Sequence, residues 1–276
     1  MTKNRKIGFI GLGNLGQAIV KALIESKTYE ASQIFATNRS AGKLAKMKEQ
    51  FGINGCNTNE ELVEKCDTIV LAVKPQDLVQ VLEPIASFFS REHLVVSLAA
   101  GFSIKTLQKL LPEVAGIVRV MPNTPATIRK AVVGYCLGPK ASAYEAQVTE
   151  IFQPLGLLVP VPEGESFEAL TVSCGSGTGF VLEFMEYWQE WLEEHNFEPK
   201  LAREMVVQTF LGAEMLAEKT PETSLVDLQD KVVSKKGVTF AGLQSMRELE
   251  IERALRYSFE KAVLKDQEIA RTTEQQ

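Results

Sequence analysis

Histidine is nearly absent from this chain of 276 residues: His93 and His195 are the only two. A histidine-rich metal site is therefore excluded. The four cysteines, Cys56, Cys66, Cys136 and Cys174, show no CxxC spacing of the kind that builds a zinc cluster, so no metal is expected. Buried or idle thiols are the expectation for all four. An excess of basic charge is lacking too. Thirty Lys and Arg stand against 35 Asp and Glu, a formal charge of −5, which argues against a nucleic-acid partner because phosphate backbones bind basic faces. Local basic clusters can still meet a small phosphate-bearing ligand. No apolar run approaches the roughly 18 residues of a membrane span, so no membrane partner is expected. Met1 to Lys6 is polar and runs straight into Ile7-Gly8-Phe9-Ile10, with nothing resembling a secretion signal. The expected setting is cytoplasmic.

What remains is a composition ordinary for a soluble globular protein, 45% hydrophobic and 24% charged. Short apolar runs at Ile7–Ile10, Gln33–Thr37, Thr68–Val73, Leu94–Leu98, Gly116–Val120, Val132–Leu137 and Leu157–Pro160 read as strands. Amphipathic stretches lie between them, among them Asn14–Ser26, Asp77–Phe89 and Ile104–Leu111. This alternation predicts a largely parallel sheet with helices on both faces. The pattern changes near Val161-Pro162-Glu163-Gly164. From Phe167 onward helical periodicity dominates, with one stripe at Phe180, Val181, Phe184, Met185, Trp188 and Leu192. Met205, Thr209, Gly212, Ala213 and Leu216 form a second stripe, and Leu255, Phe259, Ala262 and Val263 a third. Such stripes read as core, as a subunit interface, or as both. The tail Thr272–Gln276 reads as frayed. The expected architecture is α/β followed by all-α, with a dinucleotide-binding domain over residues 1–163 and a helical domain over 164–276.

Gly11-Leu12-Gly13-Asn14-Leu15-Gly16 matches GxGxxG. The pattern is weak alone, but here an apolar strand feeds Gly11 and a helix opens after Gly13. In that context Gly11 makes the tight turn, Gly13 lets backbone approach a pyrophosphate, and Gly16 lets the helix lie close to the strand. The second strand ends in Asn38-Arg39-Ser40, without the Asp or Glu that holds ribose hydroxyls in NAD-preferring sites. A guanidinium can bind a 2′-phosphate that a carboxylate would repel, so NADPH is the expected cofactor, with NADH possible.

Several further segments, in order along the chain, resemble pyrroline-5-carboxylate reductases. They are Gly8 to Gly16, Ala72-Val73-Lys74-Pro75-Gln76, Ser97-Leu98-Ala99-Ala100-Gly101 and, most specifically, Arg119-Val120-Met121-Pro122-Asn123-Thr124-Pro125-Ala126. Gly175-Ser176-Gly177, Gln208-Thr209 with Gly212-Ala213, and Leu228-x-Asp230-x-Val232-x-Ser234 continue the match. The resemblance implies a Rossmann-type domain, a helical dimerisation domain, and hydride transfer from NADPH to a cyclic imine, forming proline. It implies that Asn59, Ala72, Val73, Lys74, Pro75, Ala99 and Ala100 lie along the cofactor, and Met121, Pro122, Asn123 and Thr124 near the nicotinamide. It further implies that Ser234, Gly237 and Val238 hold the substrate carboxylate, that Thr239 meets the ring nitrogen as the catalytic hydroxyl, and that two or more copies assemble through the helical domain.

The sequence departs from that family in places. Its serine-proline-glycine-glycine turn reads Ser234-Lys235-Lys236-Gly237, and its proline-alanine-tyrosine reads Thr178-Gly179-Phe180. Glycine is also missing near Arg129-Lys130-Ala131 and between Arg247 and Arg253, where the family often has one. Three readings of the altered turn stay open: a working enzyme with two solvated lysines, a reductase of a related imine, and an NADPH-binding paralogue without reductase activity. A β-hydroxyacid dehydrogenase is the alternative of a different class. It would need a catalytic lysine on a helix of the second domain, and Lys200 and Lys219 lie in no GxxxKxxxN setting.

Overall fold

Runs such as Ile7-Gly8-Phe9-Ile10 and Thr68-Ile69-Val70-Leu71 have no polar alternation, and every residue in them is buried. A strand covered on both faces needs that pattern. The computed structural model describes residues 5–274, so the first four residues of the polar start lie outside the described residues. Within it the chain forms β1 (Ile7–Ile10), α1 (Asn14–Glu25), β2 (Ile34–Thr37), α2 (Ala41–Phe51), β3 (Asn54–Gly55), α3 (Asn59–Lys65) and β4 (Thr68–Leu71). There follow α4 (Pro75–Leu82), β5 (Leu94–Ser97), α5 (Ile104–Leu110), β6 (Gly116–Met121), β7 (Ala131–Leu137), α6 (Glu145–Phe152), β8 (Gly156–Pro160) and α7 (Glu165–Leu170). The remainder is helical: α8 (Gly177–Glu194), α9 (Pro199–Lys219), α10 (Leu225–Val232), α11 (Val238–Glu248) and α12 (Ile251–Glu274).

The strands make one sheet in the order β3-β2-β1-β4-β5-β6-β7-β8. All pairs are parallel except β6 with β7, where Val118 faces Leu137 and Met121 faces Gly134. The order reverses between β1 and β4, which opens a crevice at their carboxyl ends. Alternate residues feed two cores. Phe9, Val70, Val96 and Val118 pack with Ile19 and Leu23 of α1 and Phe152 of α6. Ile69, Leu71, Val95 and Ile117 pack on the other face with Leu62, Leu78 and Leu107 of α3, α4 and α5.

Two details differ from the expected elements. The short β3 pairs with β2 through only Asn54 and Gly55, too brief for periodicity to reveal. The stretch Asp77–Phe89 is not one helix: α4 stops at Leu82 and a 3₁₀ segment, Glu83–Phe88, follows. Pro84 explains the break, since it has no N–H for the α-helical ladder.

The chain separates into two compact units, Met1–Ser176 with Ala262–Gln276, and Gly177–Lys261. The second unit holds α8 to α11 and the start of α12. Inside it the ring of Trp188 meets that of Phe210 at 5.1 Å, and Phe180 meets Phe259 at 5.4 Å. Much of the apolar surface of these helices nevertheless stays open: Val181, Trp188, Met205 and Leu216 are 36–52% exposed. The stripes are thus not simply core in the single chain. The expected fraying at Thr272–Gln276 is not seen as far as Glu274, where α12 ends, and the last two residues lie outside the described residues. Among the described residues no helix is long and apolar enough to cross a membrane.

Candidate active site

The loop between β1 and α1 explains its three glycines physically. Gly11 has φ +99°, and a Cβ there would stand 2.9 Å from the carbonyl oxygen of Ala72. At Gly16 a Cβ would reach 2.7 Å from the carbonyl oxygen of Gly11, so only glycine lets the helix close on the turn. Gly13 is different. A Cβ there would meet nothing nearer than Ala72 O at 4.0 Å, which leaves open space above the turn. Asn14, Leu15 and Gly16 then begin α1 with no side-chain cap and no acidic residue in the first turn. Their amides, unmatched by any helix carbonyl, are available to an anion.

That turn borders a cleft of about 690 Å³ at the carboxyl ends of β1, β2 and β4. The cleft is lined by Gly11, Gly13, Asn38, Arg39, Ser40, Asn59, Ala72, Val73 and Lys74 among the expected residues. Arg39, Ser40 and Lys74 are exposed. Asn38 braces the glycine turn: its Oδ1 accepts from the amide of Leu12 at 2.8 Å, and its Nδ2 donates to Ser40 O at 2.9 Å. Asn59 accepts from the Thr37 hydroxyl at 2.6 Å, fixing the start of α3 against β2. Pro75 begins α4 directly after Lys74.

Lys43 also lines the cleft and was missed in the sequence reading. Its signal was available: it stands four residues after Arg39, in the first turn of the helix that Ser40 opens. Arg39, Ser40 and Lys43, with the uncapped start of α2, make a basic, hydroxyl-bearing mouth suited to a phosphate monoester. Open space over Gly13 and this mouth together fit a dinucleotide that carries a 2′-phosphate.

Other expected residues follow the neighbouring strands rather than line this cleft. Ala99 and Ala100 come after β5, with the Ala99 amide donating to Ser97 Oγ at 3.3 Å. Met121 ends β6, and Met121, Pro122 and Asn123 are buried while Thr124 is exposed. In the helical unit, Ser234 to Gly237 form a tight turn closed by Gly237 N–H donating to Ser234 O at 2.9 Å. A Cβ at Gly237 would displace Ser234 Oγ and stand 3.1 Å from Ser234 O, so the turn is tight at this glycine. The turn opens α11 with no side-chain cap. Val238 is 94% exposed, and Lys235, Lys236 and Thr239 are exposed as well. Lys200 and Lys219 sit near opposite ends of α9 and are both exposed.

Cys56, Cys66 and Cys136 are buried, while Cys174 is half-buried. Burial pushes Cys56 up, with Glu61 adding to the effect, and pushes Cys66 up to about 12. Burial and Glu163 raise Cys136 in the same sense. None of these three is set up as a thiolate nucleophile.

The comparisons with known proteins agree with this geometry. Residues 6–101 match a family described as NADP oxidoreductase, coenzyme F420-dependent, and residues 164–269 match pyrroline-5-carboxylate reductase dimerisation. A pyrroline-5-carboxylate reductase of Methanosarcina acetivorans is 33% identical over 267 residues, covering 96% of this chain and 97% of the relative. A solved pyrroline-5-carboxylate reductase from Coxiella burnetii superposes with a TM-score of 0.88 at 31% identity, covering 96% of this chain and 98% of that one. The Plasmodium falciparum pyrroline carboxylate reductase with NADP bound superposes with a TM-score of 0.85 at 27% identity, covering 97% and 98%. With a Rossmann-type sheet, a helical dimerisation region and relatives matched over nearly its whole length, the chain belongs to the pyrroline-5-carboxylate reductase family.

Proposed function

We propose that this protein reduces Δ1-pyrroline-5-carboxylate to L-proline with NADPH, the closing step of proline biosynthesis. The observation that carries the reading is the cleft in which the Gly11–Gly16 turn faces Arg39, Ser40 and Lys43. NADPH, when bound, supplies the hydride that adds to the imine carbon. Gly11, Gly13 and the first amides of α1 would hold its pyrophosphate, and Arg39, Ser40 and Lys43 its 2′-phosphate. NADH lacks that phosphate and is expected to bind more weakly.

The substrate side rests on the turn before α11. The amides of Val238 and Thr239, which begin α11, meet no helix carbonyl and lie at its positive end, which suits a carboxylate. Ser234, Gly237 and Val238 are assigned to that carboxylate. Thr239 is assigned to the ring nitrogen, where its hydroxyl would orient the imine and accompany the proton. The substrate enters as an iminium, so no strong protein acid is required and orientation carries much of the rate. The open stripes of α8 and α9 are assigned to a second copy of the chain, in a homodimer or a larger assembly. A cytoplasmic setting goes with this reading.

The test is NADPH oxidation by the purified protein with Δ1-pyrroline-5-carboxylate, beside NADH and a panel of other cyclic imines. Saturable turnover abolished by Thr239→Ala, with NADPH affinity retained, supports the reading. Tight NADPH binding with no turnover of this imine sinks it. Turnover of a more anionic imine alone would transfer the assignment to a related reductase and give Lys235 and Lys236 a role.

A further inference from the structure

We propose that Asn123 is a positioning residue that ties the Met121–Thr124 loop to the turn at Cys174 and so sets where hydride transfer occurs. The inference rests on the reading of that loop as the nicotinamide edge. It changes the role that family resemblance suggests for Asn123 itself.

Asn123 is 8% exposed, and both ends of its amide are engaged within the protein. Nδ2 donates to the carbonyl of Cys174 at 3.0 Å, across 51 residues of sequence. Oδ1 accepts from the amide of Val132 at 3.1 Å, at the start of β7. A ligand therefore finds little of this amide to bind. The first bond joins the end of β6 to the segment after α7, and the second closes the intervening 3₁₀ loop, Thr124–Ile128, back onto the sheet.

The partner turn is unusual. Thr171–Gly175 winds as a π-helix, with the Ser176 amide donating to Thr171 O at 2.9 Å. Single π turns inside helices recur at functional sites. This one brings Gly175 against the loop: a Cβ there would lie 3.5 Å from Met121 Cγ, an ordinary contact distance. Asn123 thus fixes the height of Met121 and Pro122 relative to this turn through bonds to two backbone atoms, Cys174 O and Val132 N. Displacement of a reacting group by about 1 Å can lower a rate on the order of a hundredfold, so a clamp of this kind acts on catalysis without touching the cofactor.

The test is Asn123→Asp, which is nearly isosteric. Its carboxylate can still accept from Val132 N–H but offers no proton to Cys174 O. NADPH affinity, followed by the fluorescence of the bound nicotinamide, should stay within about twofold, while kcat for imine reduction falls by about tenfold or more. The isotope effect with NADPH deuterated at the transferred position should rise. Activity should recover as pH falls to about 5–6, because a buried carboxyl becomes protonated early and can then donate to Cys174 O. Asn123→Gln, which keeps the amide but displaces it, should lose kcat without that recovery, which separates the clamp from a general folding defect. Unchanged kcat in both variants overturns the proposal. So does NADPH affinity that falls in step with kcat, which would mean direct contact with the cofactor. If the unaltered protein binds NADPH with no change in nicotinamide fluorescence and reduces no imine, the reading of the loop fails, and the proposal falls with it.

Discussion

Glu163 Oε1 stands 2.8 Å from Arg119 Nη1 and accepts from the Ile104 amide at the same distance. One carboxylate thereby joins β6, the start of α5 and the segment before α7. The Arg119 guanidinium also lies 4.3 Å from the centre of the Phe167 ring, with its Nε buried and unpaired among the described residues. The arginine side chain is 10% exposed and the glutamate 32%, so the pair is partly desolvated. Removing one partner of a fully buried pair costs about 3–5 kcal/mol, because the remaining charge stays unpaired. Glu163 is about a third open, so Glu163→Ala should destabilise by on the order of 2 kcal/mol. Urea unfolding measures this. A change within a few tenths of a kcal/mol would mean that water replaces the carboxylate without loss.

Asp266, on α12, lies in the field of the same arginine. Burial pushes its carboxyl above the ordinary range; Arg119 pulls it down and Glu168 pushes it up, and the net direction is upward. A raised folded value means the fold favours the neutral acid. Its contribution to stability is full below the unfolded pKa of about 4 and is lost as pH rises through the folded value. Asp266→Asn should therefore be more stable than the unaltered protein at pH 7, with the gap closing near pH 4. Thermal unfolding at both pH values tests the sign. A variant less stable at pH 7 would show that attraction to Arg119 outweighs burial.

Cofactor preference should reside in two side chains. Each charge-assisted hydrogen bond to a phosphate is worth about 1.5–3 kcal/mol, so Arg39→Ala and Lys43→Ala should each weaken NADPH binding by about tenfold or more. NADH has no phosphate to lose, and its affinity should move less than twofold. Equal losses for both cofactors would mean that these residues support the loop rather than the phosphate.

Half of that pair was readable in the sequence. Arg39 follows directly from a strand end with no acid, and the Gly11–Gly16 turn from its place between strand and helix. Lys43 needed the added step of placing a helix start at Ser40 and counting one turn. Asn123 was readable only as part of a motif. Its engagement with Cys174 joins residues far apart in the chain, and no local pattern encodes such a bond. The apolar stripes of α8 and α9 were legible as stripes, but periodicity cannot separate a core face from a face covered by another chain.

Backbone conformation at the altered turns gives the last test. The sequence lacks glycine near Arg129, at Lys236 and between Arg247 and Arg253. In the structure Arg129, Lys236 and Glu250 have φ of 60°, 60° and 51°. The left-handed backbone is thus kept where a glycine would adopt it freely, now with a side chain in place. For a residue with Cβ that conformation costs roughly 1–2 kcal/mol, while glycine gives back about 0.5–1 kcal/mol through the freedom of its unfolded chain. The net expectation for Lys236→Gly is a gain of about 0.5 kcal/mol; at Arg129 and Glu250 glycine would also remove the bond to Pro154 O and the pair with Arg253, which offsets the gain. At Lys236 a second readout applies, because the turn leads into Thr239. If the lysine serves only as a solvated loop residue, Lys236→Gly raises stability and leaves imine KM unchanged. If KM rises severalfold while stability improves, the charge belongs to substrate recognition, and the strain is the cost of placing it there.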